Sequence, residues 1–175
     1  MEPINNYFIK KDIRTVSDNF VKIIGDEWLL ITCGTSDKFN TMTASWGALG
    51  VLWNKPVAIC FIRPTRFTYS FANSNNMFTL SFFTEKERQI LQYCGSKSGK
   101  DVNKIDETGL IPLRTEAGAI SFKQSRMCHE CQKIYYDDLK PQNFLLPEID
   151  GRNYPLKDYH RMFIGEIVNV YLKNH

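Results

Sequence analysis

One stretch of the chain, residues 40–68, combines side chains that could bind a flat polar ring with side chains that could bind a phosphate. Near its start, Thr43 and Ser45 place hydroxyl groups next to a tryptophan. Near its end, Arg63 and Arg66 occupy a polar loop that follows an apolar run. Because the planar guanidinium group donates paired, charge-assisted hydrogen bonds to oxyanions, this loop is a candidate phosphate site. The pattern predicts a ligand with a polar ring at one end and a phosphate at the other.

The elements that must position these side chains are predicted to be mostly strands. Apolar runs predict strands over residues 28–32, 57–62 and 77–83. Residues 41–46 could pair with the first of them as the second arm of a hairpin. Residues 47–56 contain two glycines and an Asn-Lys-Pro break, so they are interpreted as a loop or a short helical turn. The hydroxyl groups would then lie at the end of one strand, and the arginines just beyond the next.

Three short helices are predicted between the strands. The first, residues 67–73, begins directly after the arginine loop, so its free amides would strengthen the anion site. The second follows a capping box formed by Thr84 and Glu87 and stops at Gly95. The third covers residues 101–108. These helices do not alternate regularly with the strands.

The last strand has the clearest pattern, and Glu166 alone interrupts its mostly apolar face. The other residues predicted to share that face are His160, Met162, Ile164, Val168, Val170 and Leu172. Many strands, few helices and no regular β-α alternation predict a mainly β fold, a β-barrel with added helices, rather than a parallel sheet.

Length and composition predict one domain spanning residues 1–175, large enough to bury a core without disulfides. The net charge of +3 is too small to indicate nucleic-acid binding. The sequence contains no run of 18 apolar residues, which is the length that would predict a membrane span. No membrane partner is therefore expected. The N-terminus lacks the charged-then-apolar pattern of a signal peptide, and a cytoplasmic location is therefore expected.

The five cysteines are an odd number in a chain that does not look secreted, so reduced thiols are expected. Cys128 and Cys131 are separated by two residues and suggest a metal or redox pair. In a strand, however, residues three apart face opposite sides, and the chain has no second Cys-x-x-Cys to complete a zinc site. No metal site is predicted.

Five segments, taken in order, resemble the FMN-binding split-barrel family of flavin reductase-like proteins, in its flavoredoxin-like branch. The segments are NTMTASWG, IRPTRFTYSF, FTLSFF, CGSKSGKDVNK and DYHRMFIGEI. The resemblance runs from residue 20 to residue 172, nearly the whole chain. It implies a six-stranded Greek-key split barrel with added helices, which in this family usually forms a homodimer with FMN near the subunit interface.

The resemblance implies an oxidoreductase that passes electrons from NAD(P)H through FMN to a flavin, a protein or a small-molecule acceptor. Two alternatives stay open: a flavoredoxin-type electron-transfer protein that does not use NAD(P)H directly, and a flavin-binding module without turnover. The sequence contains no G-x-G-x-x-G segment, so a separate Rossmann site for the nicotinamide nucleotide is not indicated. In this family, a nicotinamide would stack directly on the flavin.

The resemblance also implies a role for particular residues. The implied contacts to the isoalloxazine ring are Met42, Thr43, Ala44, Ser45, Trp46, Ser81 and Phe82. The implied contacts at the phosphate end are Arg63, Arg66 and Thr68. The implied contacts from a loop that closes over the flavin are Cys94, Ser98, Asp101 and Lys104. His160, the candidate catalytic residue, would face the open side of the flavin, where nicotinamide approaches.

Several of these residues have a simpler interpretation by residue type alone. His160 could be a packed histidine at a strand end, and Cys94 could serve only in helix packing. The pair Trp46 and Trp53 fits the core, ring stacking or a dimer interface, and the sequence does not separate these uses.

Overall fold

The computed structural model describes residues 1–174, and the bounds of its elements follow from hydrogen bonding along the backbone. The strands are β1 Glu2–Pro3, β2 Phe8–Lys11, β3 Leu29–Gly34, β4 Phe39–Ala44, β5 Gly47–Leu52, β6 Lys55–Ile62, β7 Met77–Phe82, β8 Pro112–Arg114, β9 Ile120–Phe122, β10 Met127–Asp138 and β11 Arg161–Lys173. The α-helices are α1 Phe20–Gly25, α2 Thr68–Ser74, α3 Arg88–Ser96, α4 Lys104–Thr108 and α5 Pro147–Asn153.

The main sheet has eight strands in the order β4-β3-β7-β10-β11-β6-β5, with β2 also paired to β11. The first half of β11 pairs with β6 and its last four residues pair with β2. In residues 1–174 the end strands β4 and β5 are not hydrogen-bonded to each other, so the barrel is split rather than closed. A smaller sheet, β1-β8-β9, has no backbone ladder to the main sheet but packs against β7 and β3 through β9. The predicted mainly β split barrel with added helices is therefore confirmed.

The main core shows which strands form the barrel wall. Its buried strand residues come from β3, β4, β6, β7, β10 and β11, where they alternate along much of each strand. Ala58, Cys60 and Ile62 on β6, for example, face the same cluster as Leu29 and Ile31 on β3. Side chains from one face of a sheet can meet across it only if the sheet curls on itself. Six strands therefore supply the strand residues of the main core, while β2 and β5 extend the sheet.

Residues 47–56 were expected to form a loop or helical turn, and this expectation is wrong. They form β5, a two-residue turn at Trp53 and Asn54, and the start of β6. Trp53 and Asn54 have φ values of 51° and 58°, which match a type I′ hairpin turn. That turn usually carries Asn-Gly or Asp-Gly, and tryptophan at its first position hides the signal.

The last strand forms, but the predicted row of alternating side chains does not hold. The register between β10 and β11 shifts after Glu130, and Val168 is left without a partner. One extra residue in a ladder reverses which side chains face the core. As a result Val168 is 36% exposed, whereas Phe163 and Ile167, predicted for the opposite face, lie in the main core.

The helices follow the predicted signals with one shift. Thr84 and Glu87 form the predicted capping box just before α3. The third helix was expected from residue 101, but α4 begins only at Lys104 because the side chain of Asn103 caps it by accepting a hydrogen bond from the Ile105 amide at 3.1 Å.

Candidate functional site

A cavity of about 520 Å³ is called here the main cavity. It lies where the end of β4, the end of β6, the side of α3 next to β4 and the residue before β11 meet. Its lining residues are Trp28, Met42, Thr43, Ala44, Ser45, Trp46, Phe61, Arg63, Arg66, Leu91, Gln92, Gly95, Ser96 and His160. Residues distant in sequence meet here because β11 pairs with β6, and α3 packs on β4.

At one end of the main cavity, hydroxyl and amide donors follow β4. Ser45 and Trp46 lie between β4 and β5, so their backbone amides take no part in either strand ladder. The hydroxyl of Ser45 has no hydrogen-bond partner within residues 1–174, whereas the hydroxyl of Thr43 already donates to the carbonyl of Leu91. Of the two hydroxyls predicted to contact a ring, only that of Ser45 keeps its proton free for a ligand.

The two predicted phosphate arginines have different surroundings. Arg63 donates from Nη1 to both carboxylate oxygens of Asp158 at 2.8 Å, and from Nη2 to the carbonyl of Asn153 at 2.8 Å. Its guanidinium also lies 5.0 Å from the ring centre of Tyr154. Arg63 therefore already holds the segment before His160 while its side chain lines the main cavity, and its phosphate role stays a prediction.

Arg66 is the guanidinium left for an oxyanion. It donates one hydrogen bond, from Nη2 to the carbonyl of Gly95 at 2.9 Å, and forms no ion pair within residues 1–174. Burial lowers its pKa from the ordinary value. A half-buried cation without a carboxylate gains much from a bound anion, since neither charge is then left unpaired.

A small cavity of about 90 Å³ adjoins the main cavity beside Arg66. Arg66, Met42 and Ser96 line both. The predicted residues Thr68, Ser98 and Lys104 line the small cavity, so the structure brings them together with Arg66. These four predicted polar residues therefore lie around one cavity, next to the main cavity that Arg63 lines.

Lys104 is the most constrained residue of the small cavity. Its Nζ donates to the carbonyls of Thr41 at 2.7 Å and Cys94 at 2.8 Å, which ties α4 to β4 and α3. Burial lowers its pKa to about 8; the Cys94 thiol acts in the opposite direction and the nearby charge of Arg66 lowers it further. One of the three ammonium protons is left for a ligand.

Four predicted contacts are not brought to the main or small cavity. Ser81 is fully buried and shares a hydrogen bond of 3.0 Å with Ser121, while Phe82 belongs to the main core. Both lie on β7, which has strands on either side. Cys94 packs in a second core cluster beneath α3, and burial raises its pKa to about 11. Asp101 is exposed and lines a different cavity.

His160 lines the main cavity at 8% exposure. Its Nδ1 lies 2.8 Å from the hydroxyl of Tyr154, and its ring centre is 5.2 Å from that of Trp46. Burial, with a smaller contribution from the charge of Arg63, lowers its pKa to about 4, although Asp158 acts in the opposite direction. The imidazole is therefore neutral near neutral pH, and its second nitrogen is available for a ligand.

A family model described as the flavin reductase like domain matches residues 24–175. The chain belongs to this family. A search of curated proteins gave no match. The suspected family is thus confirmed.

Solved structures share the fold of this flavin reductase-like domain. Flavoredoxin from Methanosarcina acetivorans aligns with a TM-score of 0.65 at 20% identity, covering 94% of this chain and 76% of its own. An FMN-binding protein from Thermus thermophilus gives 0.66 at 18% identity, covering 91% and 79%. Component B of nitrilotriacetate monooxygenase from Bacillus cereus gives 0.67 at 14%, covering 95% and 82%. At these identities the likeness establishes the fold.

Sequence reasoning missed three residues that line the main cavity or contact its lining. Trp28 enters the main cavity from a left-handed backbone conformation, φ 68°, with the guanidinium of Arg88 3.6 Å from its ring centre. Phe61 belongs to an apolar run that was predicted only as a strand. Tyr154 lies in a segment without periodicity, and only its nearness to His160 in the sequence could have indicated it.

The cysteines, the possible metal ligands and the helices of residues 1–174 can also be compared with the predictions. Cys128 and Cys131 pack in different core clusters, as predicted for opposite faces of a strand, and all five cysteines are free thiols. No group of three or more possible ligands is arranged to hold a metal ion in that range, and none of its helices is long and apolar enough to cross a membrane.

Proposed function

We propose that this flavin reductase-like domain is an FMN-dependent oxidoreductase that takes electrons from NAD(P)H and passes them to a flavin, a protein or a small-molecule acceptor. The observation that carries the proposal is a cavity with aromatic and apolar walls that ends at the unpaired guanidinium of Arg66. FMN, when bound, supplies the hydride and electron transfer, and the protein positions and tunes it.

The residues present fit FMN in size and chemistry. A volume of about 520 Å³ lies within the range of about 300–1,000 Å³ usual for cofactor sites. Trp28, Trp46 and Phe61 provide aromatic surface for a ring system. Arg66 and Lys104 supply positive charge at the polar end, where a phosphate would lie. The fit supports FMN over a wholly apolar ligand.

At the ring end, the chain would bind and orient the polar edge of the isoalloxazine. The hydroxyl of Ser45 and the free backbone amides of Ser45 and Trp46 are donors fixed by the end of β4. Donors already in position stabilise negative charge at little reorganisation cost. Thr43 contributes indirectly, since its bond to Leu91 fixes α3 against β4.

The nicotinamide is proposed to approach beside His160 and Trp46. Because His160 is neutral, its role is to orient a bound group by hydrogen bonding rather than to supply a proton as a cation. Tyr154 fixes the ring of His160 through Nδ1. The partly exposed Trp46, 48% accessible, leaves this side of the cavity open to a second ligand.

A second candidate function is electron transfer to or from a protein partner without direct use of NAD(P)H, as in the flavoredoxin-type alternative. Its support is the exposed aromatic surface next to the cavity, where Trp46 is 48% and Trp53 60% exposed. Exposed aromatic groups of this kind are favoured at protein interfaces. A redox protein could dock there close to the flavin.

Anaerobic titration separates the two candidates. The FMN-loaded protein is mixed with NADH and, separately, with NADPH, and absorbance in the flavin bands is followed. Rapid bleaching by either nucleotide supports the oxidoreductase. Bleaching only by dithionite contradicts direct NAD(P)H use and favours the electron-transfer protein. Protein that does not bind FMN overturns both.

A further inference from the structure

Tyr154 and His160 form a buried pair beside the main cavity. Tyr154 directly follows α5 and is 3% exposed, and His160 directly precedes β11. The phenol oxygen lies 2.8 Å from Nδ1 of the imidazole. The two groups share one hydrogen bond, so the proton between them belongs either to the phenol or to the imidazole. Which group donates decides what the other imidazole nitrogen, Nε2, presents to the cavity.

The hydroxyl group of Tyr154 has a fixed position because its ring is packed on several sides. The guanidinium of Arg63 lies 5.0 Å from the centre of this ring, and the rings of Phe144 and Tyr159 lie 5.8 Å and 4.9 Å from it. In the described part of the chain, residues 1–174, Nδ1 of His160 is the only acceptor that hydrogen-bonds with this hydroxyl group. A hydroxyl proton that pointed elsewhere would therefore lack an acceptor in the protein.

Both groups are neutral near neutral pH. Burial raises the pKa of Tyr154, so the phenol keeps its proton. Burial, followed by the charge of Arg63, lowers the pKa of His160 to about 4, so the imidazole carries a single proton. With that proton on Nδ1, the phenol proton would be buried without an acceptor, which costs free energy. With it on Nε2, the phenol donates to Nδ1 and both protons are satisfied or free for a ligand.

Nε2 of His160 is open to the main cavity. It has no hydrogen-bond partner among residues 1–174, and unlike both ring nitrogens of His129 it is not enclosed by protein atoms. The indole of Trp46, whose ring centre lies 5.2 Å from that of His160, is also a donor without an acceptor atom. This end of the cavity therefore offers N–H groups and suits a ligand that supplies an acceptor oxygen.

We infer that Tyr154 is a positioning residue that fixes His160 as the Nε2–H tautomer, and that the second ligand of the site presents a carbonyl oxygen to this N–H. The inference rests on the proposed flavin site and deepens it, because it names the class of ligand that lies beside the flavin. The class consists of flat molecules with a carbonyl oxygen: a carboxamide, an aldehyde, a ketone or a quinone. A ligand of the same shape without an acceptor leaves the N–H unpaired.

The tautomer can be measured directly in the FMN-loaded full-length protein. The chain has three histidines, so ¹⁵N labelling of histidine gives few signals, and His160→Gln identifies those of His160. Long-range proton–nitrogen NMR spectra at neutral pH should show Nδ1 unprotonated and Nε2 protonated. A protonated Nδ1 in the unmodified protein overturns the inference.

Tyr154→Phe removes the hydroxyl group and keeps the ring. The two nitrogens of His160 should then give averaged signals, and its pKa should rise above about 4, because the phenol no longer stabilises the neutral imidazole. The control Tyr159→Phe removes a hydroxyl group that donates to Asp150, from a ring that packs on the same tyrosine, and should change neither. Equal effects of the two variants would overturn the role of the Tyr154 hydroxyl group.

A pair of matched ligands tests the acceptor. Acetophenone and isopropylbenzene have nearly the same shape, but only acetophenone has a carbonyl oxygen. Titrated into the FMN-loaded protein, acetophenone should shift the Nε2 signal of His160, and isopropylbenzene should not. Tyr154→Phe should weaken acetophenone binding about two- to tenfold, the effect of one hydrogen bond, and leave isopropylbenzene binding unchanged.

Equal losses for the two ligands, or an Nε2 signal that acetophenone does not shift, overturn the inference. In both cases FMN is still bound, whereas failure of FMN to bind overturns the proposed function itself.

Discussion

Two arginines three positions apart in one motif have separate tasks at the scale of the residue. Arg63 is held by two hydrogen bonds to Asp158 and one to Asn153, so binding a phosphate would require breaking an existing ion pair. Arg66 has a single backbone partner and no carboxylate within the described residues 1–174. The residue type is the same, but only the tertiary partners show which arginine is available to a ligand.

The arginines give a matched pair of substitutions. Arg66→Ala should weaken FMN binding about 10- to 100-fold, the effect of losing a charge-assisted hydrogen bond. Arg63→Ala should change FMN affinity much less, because its partners are protein groups. Dissociation constants from flavin fluorescence measure both. Equal losses in the two variants would show that Arg63 also holds the phosphate.

At the scale of the element, the segment between β10 and β11 carries one wall of the site. Tyr154 and His160 lie on this segment, and their positions depend on the contact between Asp158 and Arg63 next to β6. The side chains of this ion pair are only 26% and 16% exposed, so it is screened less than a surface pair. The ion pair between Arg63 and Asp158 therefore holds the segment in place and keeps His160 at the cavity.

Asp158→Asn tests the ion pair with Arg63 with little change in side-chain size. It should lower stability by about 1 kcal/mol, or about 2–4 °C in melting temperature. FMN affinity should be nearly unchanged, while KM for the nicotinamide should rise more than kcat falls. The control Asp137→Asn breaks an exposed pair with Lys140 away from the cavity and should leave KM unchanged. A KM that is the same in both variants would contradict the role of the Arg63–Asp158 ion pair in positioning His160.

At the scale of the whole molecule, the open barrel leaves β5 as an end strand with apolar side chains in solvent. Val51 is 78% and Trp53 60% exposed. An unpaired edge with exposed apolar groups favours association with another chain. We propose the homodimer implied by the family resemblance on this surface, which lies next to Trp46 and the cavity. The cytoplasmic location stays a prediction.

A charge on that edge should prevent association. Val51→Lys should convert a dimer into a monomer in light scattering coupled to size-exclusion chromatography, since a lysine on an edge strand opposes pairing. Leu145→Lys, at a position 93% exposed and outside β5, serves as the control and should leave the dimer intact. If Val51→Lys remains dimeric, the interface lies elsewhere.

Local patterns were enough to predict the strand runs, the capping box at Thr84 and an anion site at the Arg66 loop, because each depends on residues close in sequence. Lys104 was indicated only by the family resemblance. The five ordered segments were enough to predict the family and its split barrel. The hairpin of β5 and β6 was not predicted, because tryptophan occupies a turn position at which asparagine or glycine is usual.

Only the tertiary structure decided which of the predicted residues line the cavities. Ser81 and Phe82 carry a family motif, yet β7 lies between two strands and both side chains pack inside the protein. Arg63 is paired to Asp158, ninety-five positions away in the chain. No local sequence pattern predicts a pairing between residues so far apart. The sequence determined the chemistry that was present, and long-range pairing determined which groups remained free, because a side chain can serve a ligand only if no protein partner already satisfies it.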